Sequence, residues 1–412
     1  MLRIRRVKTG RSKPSLRVDY EDPYLALTSL LVDAATLEHS LLSVYLYALF
    51  SIRERYKDVR GELSSESFQS QPPGKNAMSG QAPRSAKATF LDVTIEEMQH
   101  LAMVNQLLYE LCAAPCLERH TFPHRFEIYP FPLELRSLDR YVAATFTWIE
   151  APAAALKRSS DNRLVEELEG VVNREANRNV VREREDKGLE PLGSLYNQIL
   201  ERLDTLRKDP PPFIPNSFAW GVWSDRIDWI RNQGEIDHFG FFRSLFEGSA
   251  FGGNASIWKL APEHEVYPAT KLEWKSAFRG RDSSISQPGE VHEAQGLAWL
   301  SNLIYWTLLC LLDVSYRTNN RKLIYVAIEQ MASGLWWLGL ELAHVYELGM
   351  PFDVMLVRYN LGRDERSTLQ IIERLVREAR HVAELPEVAE RLPKRFDRLL
   401  FQRTLDALQP RT

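Results

Sequence analysis

Apolar residues recur at helical spacing over several long segments, and no segment shows the alternation that is typical of strands. The first segment, 24–53, follows Asp22-Pro23, which is a helix cap with a proline at the first helical position. The second segment is 87–113, which stops before a proline. The third carries RYVAATFTWIE, and we expect Ser137 to cap it. These patterns predict three long helices in the first 150 residues.

The rest of the chain also has helical periodicity, interrupted by polar loops. Residues 160–210 are charged and helical in pattern, and EIDHFGFFRSLFEG predicts a helix that ends at Gly248. Residues 249–290 are predicted to form a loop. Further helices are predicted at 293–316, 321–348 and 367–383. The predicted fold class is all-α.

The spacing of these segments suggests a division of the chain. Residues 1–20 form a polar, basic arm, and 21–248 form a helical bundle with inserts at 57–86 and 160–210. We expect 249–412 to be a C-terminal helical region that packs on the bundle.

Composition and charge exclude several functional classes. The net charge is −3, from 52 basic and 55 acidic residues, so the chain lacks the basic excess of a nucleic-acid-binding protein. Three cysteines cannot build a disulfide framework, which favours a reducing, cytoplasmic location. No uninterrupted apolar run reaches the roughly 18–20 residues of a membrane helix, and no signal-peptide pattern follows the N-terminus. We therefore expect no membrane partner, and long apolar helix faces make a homodimer plausible.

The histidines carry the strongest chemical signal in the sequence. Four of the nine histidines have a glutamate three residues earlier. The pairs are Glu97/His100, Glu235/His238, Glu341/His344 and Glu378/His381. Residues three apart lie on one face of a helix, so each pair can present a carboxylate and an imidazole to the same metal ion.

Two single glutamates complete a recognisable order. Glu38 and Glu150 each lie on an apolar helix face, where an unpaired carboxylate would cost several kcal/mol to bury. Di-metal carboxylate bundles take one Glu from each of two helices and Glu-x-x-His from each of two others. The predicted metal ligands are Glu38, Glu97, His100, Glu150, Glu235 and His238. Four carboxylates and two imidazoles suit two iron ions, or manganese or a mixed pair.

Alternative interpretations exist for these residues. Buried Glu38 could pair with a basic residue, Glu150 could face water beside Pro152, and Glu235 could favour a helix N-terminus. The Glu341/His344 pair is a rival in a very apolar setting, and we interpret it as structural. The Glu378/His381 pair lies among arginines and fits a solvated face.

Three further groups of residues could contribute to a site. Cys112 and Cys116, with two histidines nearby, could hold zinc, although buried thiols are the simpler interpretation. Tyr45 could line the di-metal site. Glu96 and His39 neighbour predicted ligands but point about 100° away from them around the helix.

Several segments resemble the ferritin-like domain of the iminophenyl-pyruvate dimer synthase family, which takes part in bisindole pigment biosynthesis. They include LEHSLLSVYLYALFSI, IEEMQHLAMVNQLLYELCAAP, FEIYPFPLELRSLDRYVAATFTWIEAP and NQGEIDHFGFF. LSNLIYWTLLCLLDVSYR and AIEQMASGLWWLGLELA resemble the family's C-terminal helices. The resemblance implies a ferritin-like four-helix bundle with additional C-terminal helices and long loops.

The resemblance also implies a function. It implies a di-iron oxidoreductase or oxidative coupling enzyme that uses O₂ or peroxide and acts on a small amino-acid-derived metabolite. A metal-binding protein without turnover, for storage or sensing, is the alternative, and a helical interaction protein without metal is a third possibility. The catalytic residues, as distinct from metal ligands, are not indicated by the sequence.

Overall fold

The computed structural model describes most of the chain. The described residues are 20–63, 88–126, 128–157, 163–175, 192–277, 294–354 and 364–409. The predicted arm at 1–20, apart from Tyr20, lies outside these ranges, as do most of the predicted insert at 57–86 and residues 160–162 and 176–191 of the insert at 160–210.

The described fold is helical. Its first helices are α1 (Pro23–Ser51), α2 (Lys57–Arg60), α3 (Phe90–Glu110), α4 (Arg140–Glu150), α5 (Arg163–Glu175), α6 (Leu192–Lys208), α7 (Trp220–Gln233) and α8 (Phe239–Phe246). They are followed by α9 (Gln295–Thr318), α10 (Arg321–Glu329), α11 (Trp336–Val345), α12 (Glu365–Glu384), α13 (Pro386–Ala389) and α14 (Leu400–Leu408). Only isolated β-bridges, and no strands, occur among the described residues. The predicted all-α fold class is confirmed.

Local sequence explains where the bundle helices begin. The Asp22 side chain accepts a hydrogen bond from the backbone N–H of Leu25 at 2.9 Å, as predicted for α1. A capping box of Thr89 and Asp92 starts α3. The predicted cap of α4 at Ser137 is wrong, because Asp139 caps that helix while the Ser137 hydroxyl accepts the backbone N–H of Leu272.

Helix α1 is the centre of the first part of the fold. It is buried around almost its whole circumference and packs against α3, α6 and α11. Helix α4 packs against α8, and α6 packs against α7. Helix α6 lies in the segment predicted as an insert, yet it forms a wall of the bundle.

Two π-helical segments, one of five and one of six residues, interrupt otherwise continuous helices. Gly234–His238 joins α7 to α8, and Gln330–Leu335 joins α10 to α11. A π segment follows from an extra residue in a helix, and it changes which residues share a face. Neither π segment was predicted from the sequence.

Helix α9 is the centre of the C-terminal helices. It packs against α10, α11 and α12, and it also contacts α3 of the bundle. The predicted helices at 293–316, 321–348 and 367–383 are confirmed with small shifts of their ends, whereas α14 was not predicted.

Three helical segments have the length and composition of a membrane span, contrary to the sequence prediction. They are Pro23–Ser51, Gln295–Thr318 and Arg321–Val345. The sequence prediction was based on the absence of an uninterrupted apolar run. These segments contain isolated polar residues, but their mean hydropathy over 18 residues is still high. Within the fold, 83% of the apolar window of Gln295–Thr318 is buried, as are 61% and 56% of the windows of the other two. Much of their apolar surface therefore packs against the protein itself.

Candidate metal centre

Five of the six predicted metal ligands converge inside the bundle. Glu38 comes from α1, Glu97 and His100 from α3, Glu150 from the last residue of α4, and His238 from the end of the first π segment. We call these five residues the carboxylate–histidine cluster. None of them is more than 2% exposed.

Glu97 lies at the middle of the cluster and faces both histidines. Its Oε2 atom is 3.1 Å from Nδ1 of His100, and its Oε1 atom is 2.8 Å from Nδ1 of His238. The cluster therefore divides into two groups that could each hold a cation and that share Glu97. We call them the Glu38 group (Glu38, Glu97, His100) and the Glu150 group (Glu97, Glu150, His238).

Both imidazole rings turn the same nitrogen inward. Nδ1 of His100 is 3.9 Å from Oε2 of Glu38, and Nδ1 of His238 is 3.8 Å from Oε2 of Glu150. Nε2 of His100 lies 2.9 Å from Oε1 of Gln233, and Nε2 of His238 lies 3.0 Å from Oε2 of Glu96. Because both outer partners are acceptors, the Nε2–H groups donate to them. The Nδ1 atoms are thereby directed into the cluster, where a bound cation would replace their protons.

Two buried tyrosines hold the outer carboxylates. The hydroxyl of Tyr45 donates to Oε1 of Glu150 at 2.6 Å. The hydroxyl of Tyr196, on α6, donates to Oε1 of Glu38. Each carboxylate therefore has one oxygen fixed by a phenol, and its other oxygen faces the cluster.

The inward atoms lack the hydrogen bonds that buried polar atoms normally have. Oε2 of Glu38 and Oε2 of Glu150 are buried without a hydrogen-bond partner, and Oε1 of Glu97 and Nδ1 of His238 contact only each other, without the geometry of a hydrogen bond. Leaving a buried polar atom unpaired costs about 1–3 kcal/mol, and more when the group is charged. All four atoms belong to the candidate ligands, so cations shared between these groups would satisfy them. The residues present thus fit a pair of metal ions.

The proximity of three carboxylates has electrostatic consequences. Burial, with the charge of Glu97, raises the pKa of Glu38 well above its ordinary value and raises the pKa of Glu150 to about 7. Burial alone would also raise the pKa of Glu97, but His100 and His238 hold it well below its ordinary value. A bound cation would favour the ionised form of all three carboxylates.

The π segment brings His238 into the cluster and keeps the space beside Glu150 open. A Cβ atom at Gly234 would lie 2.9 Å from Oε2 of Glu150. In a π turn, residues five apart share a face, and residues three apart do not. Gln233 and His238, which are five residues apart, accordingly both face the cluster. Regular α-helical spacing would not place these two residues on one face.

Glu235, the sixth predicted ligand, is placed elsewhere. It is only half-buried, and its carboxylate lies against Gly193 at the start of α6. Neither of the candidate metal-binding groups among the described residues includes it. The physical reason is the π geometry, which turns Glu235 away from the face that His238 occupies.

The other candidate residues lie outside the cluster. His39 contacts the backbone oxygen of Leu117 at 2.9 Å and the hydroxyl of Tyr305 at 2.6 Å. His344 approaches Arg60 at 3.4 Å, and burial together with Arg60 lowers its pKa to about 4.

The predicted zinc alternative is not assembled among the described residues. The ring of His120 stacks on that of His124 with centroids 3.7 Å apart. The thiol of Cys116 lies 3.7 Å from the hydroxyl of Thr36, and the exposed Cys112 contacts the backbone oxygen of Phe213. None of these four Cys and His residues belongs to the candidate metal-binding groups.

Two residues of the site were missed by sequence reasoning. Tyr196 lies on the apolar stripe of α6 with Leu195 and Ile199, and only that stripe marked it as buried. Gln233 has no chemical motif, and its role depends on the π segment that follows it.

Comparison with known proteins supports the fold at the level of a family. No curated protein and no solved structure matches the chain. The Ferritin-like family model matches residues 31–214, which include Glu38, Glu97, His100 and Glu150 but end before His238. Over this region the helical chain is similar to ferritin-like domains, and four of the five residues of the candidate metal-binding groups lie within it.

Proposed function

We propose that this protein binds two iron or manganese ions in the carboxylate–histidine cluster. Glu97 serves both ions, Glu38 and His100 complete one position, and Glu150 and His238 complete the other. The observation that carries the proposal is the set of four buried ligand atoms that face one another around Glu97 without hydrogen bonds of normal geometry.

We further propose that the site is that of an oxidoreductase or oxidative coupling enzyme. A pair of redox-active metal ions supplies two-electron exchange with O₂ or peroxide. Tyr45 and Tyr196 fix the orientation of the outer carboxylates, and burial of the cluster excludes bulk water. The choice of a small amino-acid-derived substrate is supported by the resemblance of the sequence motifs.

Metal analysis tests the first part of the proposal. The apoprotein should be loaded with Fe²⁺ under anaerobic conditions, or with Mn²⁺, and the bound metal measured after desalting. We expect about two ions per chain. Glu97→Ala should lose both, because Glu97 serves both positions, whereas Glu341→Ala should retain both. A metal-free wild-type protein, or a Glu97→Ala variant with full metal content, would contradict the proposal.

Oxygen consumption tests the second part. The reduced, iron-loaded protein should be mixed with O₂ in the presence and absence of aromatic α-imino and α-amino acids. We expect a substrate of this class to accelerate O₂ consumption and to yield a coupled or oxidised product. If none does so while iron remains bound, the enzymatic proposal fails and the metal-binding proposal stands.

A further inference from the structure

The two histidines of the cluster differ in the partner of their outer nitrogen. Nε2–H of His238 donates to a carboxylate, Glu96, whereas Nε2–H of His100 donates to an amide, Gln233. The rest of each group is closely matched. Both share Glu97, and each has one further glutamate whose outer oxygen accepts from a tyrosine. The charge of the outer partner is therefore the clearest difference between the two groups.

An anionic partner changes what an imidazole offers to a metal. Hydrogen bonding to a carboxylate fixes the ring and raises the basicity of its other nitrogen, and losing such a partner typically lowers metal affinity 10–100-fold. A neutral amide fixes the ring with a smaller electronic effect. His238 should therefore be a stronger donor than His100.

The position of Glu96 on α3 makes this contact specific. Glu96 and Glu97 are adjacent in sequence and point about 100° apart around the helix. Oε1 of Glu97 faces Nδ1 of His238 at 2.8 Å, and Oε2 of Glu96 faces Nε2 of the same ring at 3.0 Å. Two consecutive glutamates thus hold His238 from both sides. The Glu96 side chain is 13% exposed, so solvent screens this contact only partly.

We propose that Glu96 is a positioning residue that makes the Glu150 group the tighter of the two metal positions, so that the two ions bind in sequence. This inference rests on the proposed di-metal function. The Glu38 group, whose histidine has only an amide partner, fills second.

Titration of the full-length apoprotein with Mn²⁺, followed by electron paramagnetic resonance, tests the proposal. The free-ion signal gives the two binding constants, and the bound signals distinguish single ions from spin-coupled pairs. For the wild type we expect two separable constants and mainly single bound ions at one equivalent. Glu96→Gln keeps a hydrogen-bond acceptor but removes the charge. This variant should lower the Mn²⁺ affinity of the tighter position about 10-fold or more.

A reciprocal variant and two controls sharpen the test. Gln233→Glu gives His100 a carboxylate partner and should strengthen the weaker constant, bringing the two steps together. Glu341→Gln, in the other apolar Glu-x-x-His pair, should change neither constant. Thermal unfolding of each apoprotein reports folding separately. Glutamine is nearly isosteric with glutamate. If the role of Glu96 were only structural, the Mn²⁺ binding constants of Glu96→Gln would therefore equal those of the wild type.

The outcomes separate this inference from the proposed function. A wild-type protein that binds no Mn²⁺ overturns the di-metal proposal and the inference with it. Two bound ions with equal constants overturn the inference alone. The same conclusion follows if Glu96→Gln leaves the tighter constant unchanged or if Gln233→Glu leaves the weaker constant unchanged.

Discussion

Gly234 stands at a position where any side chain would reach the candidate metal centre. A Cβ atom there would lie 2.9 Å from Oε2 of Glu150, which is closer than real Cβ contacts. Gly240, six residues later, is an ideal comparison, because a Cβ atom there meets nothing within 4 Å. The absence of a side chain at position 234 therefore leaves room for the Glu150 carboxylate, whereas a side chain at position 240 would not contact the site.

We predict that Gly234→Ala displaces the Glu150 carboxylate and lowers metal affinity at the Glu150 group. Gly240→Ala should leave metal affinity unchanged, although both substitutions favour the helix. Metal titration of the two variants checks this prediction. Equal affinities in the two variants would show that Glu150 does not bind metal through Oε2.

A second residue-scale prediction concerns the cost of burying unpaired carboxylates. Glu38→Gln keeps the acceptor for the Tyr196 hydroxyl but removes a fully buried carboxyl that, because burial raises its pKa, must take up a proton when the apoprotein folds at neutral pH. We expect the metal-free variant to be more stable than the metal-free wild type by about 1–3 kcal/mol. Metal binding to the variant should be weakened. Denaturant unfolding of the two apoproteins measures the first effect, and a less stable variant would contradict it.

The sequence predicted five of the residues that the fold brings together in the candidate site, for reasons that can be stated residue by residue. Glu97 and His100 lie on a regular α-helix, so their three-residue spacing places them on one face as predicted. Glu38 and Glu150 were identified because carboxylates are rare on apolar faces, and both are buried in the cluster. Glu235 was placed differently because the same spacing argument was applied to a segment that is π-helical.

At the scale of elements, the π segment decides which residue of the second Glu-x-x-His pair faces the site. It turns His238 inward and Glu235 toward Gly193. We predict that His238→Ala loses one of the two metal ions and that Glu235→Ala retains both. His344→Ala, in the other apolar pair, should also retain both. Metal content after desalting is the measurement.

The opposite result would be informative. If Glu235→Ala lost one ion, its carboxylate would have to leave Gly193 and enter the cluster when metal binds. If His344→Ala lost metal and His238→Ala did not, the choice of the fourth helix would be wrong.

Sequence patterns predicted the long helices better than their interruptions. Asp22 caps α1 as predicted, and the predicted helix at 367–383 is present as α12, although it begins two residues earlier, after a cap at Asp364. A π segment leaves no comparable mark, because it depends on how the flanking helices α7 and α8 pack on α6 and α4. Tertiary packing, rather than local propensity, explains this difference.

At the scale of the whole molecule, the cluster ties together elements that are distant in sequence. Its candidate ligands come from α1, α3, α4 and the first π segment, so bound ions would cross-link the centre of the bundle. A ligand that binds only the folded state stabilises it by about 2.7 kcal/mol at a concentration of 100 times its Kd. The metal should therefore act as a structural link as well as a reactive centre.

We predict that chelation lowers the unfolding temperature of the wild-type protein and that Mn²⁺ restores it. In Glu97→Ala, chelation should have little effect, because neither position holds an ion. Differential scanning calorimetry with and without chelator checks this prediction. An unfolding temperature of the wild type that does not respond to metal would argue that no ion binds inside the bundle.

The predicted division of the chain at residue 248 remains a prediction. Helix α11 packs against α1, and α9 contacts α3, so the C-terminal helices lie directly on the bundle. The Ferritin-like match ends at residue 214, before His238. The candidate metal centre thus uses one residue from beyond the matched region.

Anomalous diffraction from crystals of the iron- or manganese-loaded protein, collected at the metal edge, tests the central claim most directly. The account predicts two peaks beside the Glu97 carboxylate, one next to Glu38 and His100 and the other next to Glu150 and His238. Absence of peaks at these positions in crystals of protein shown to contain the metal would contradict it, as would peaks at Glu341 and His344.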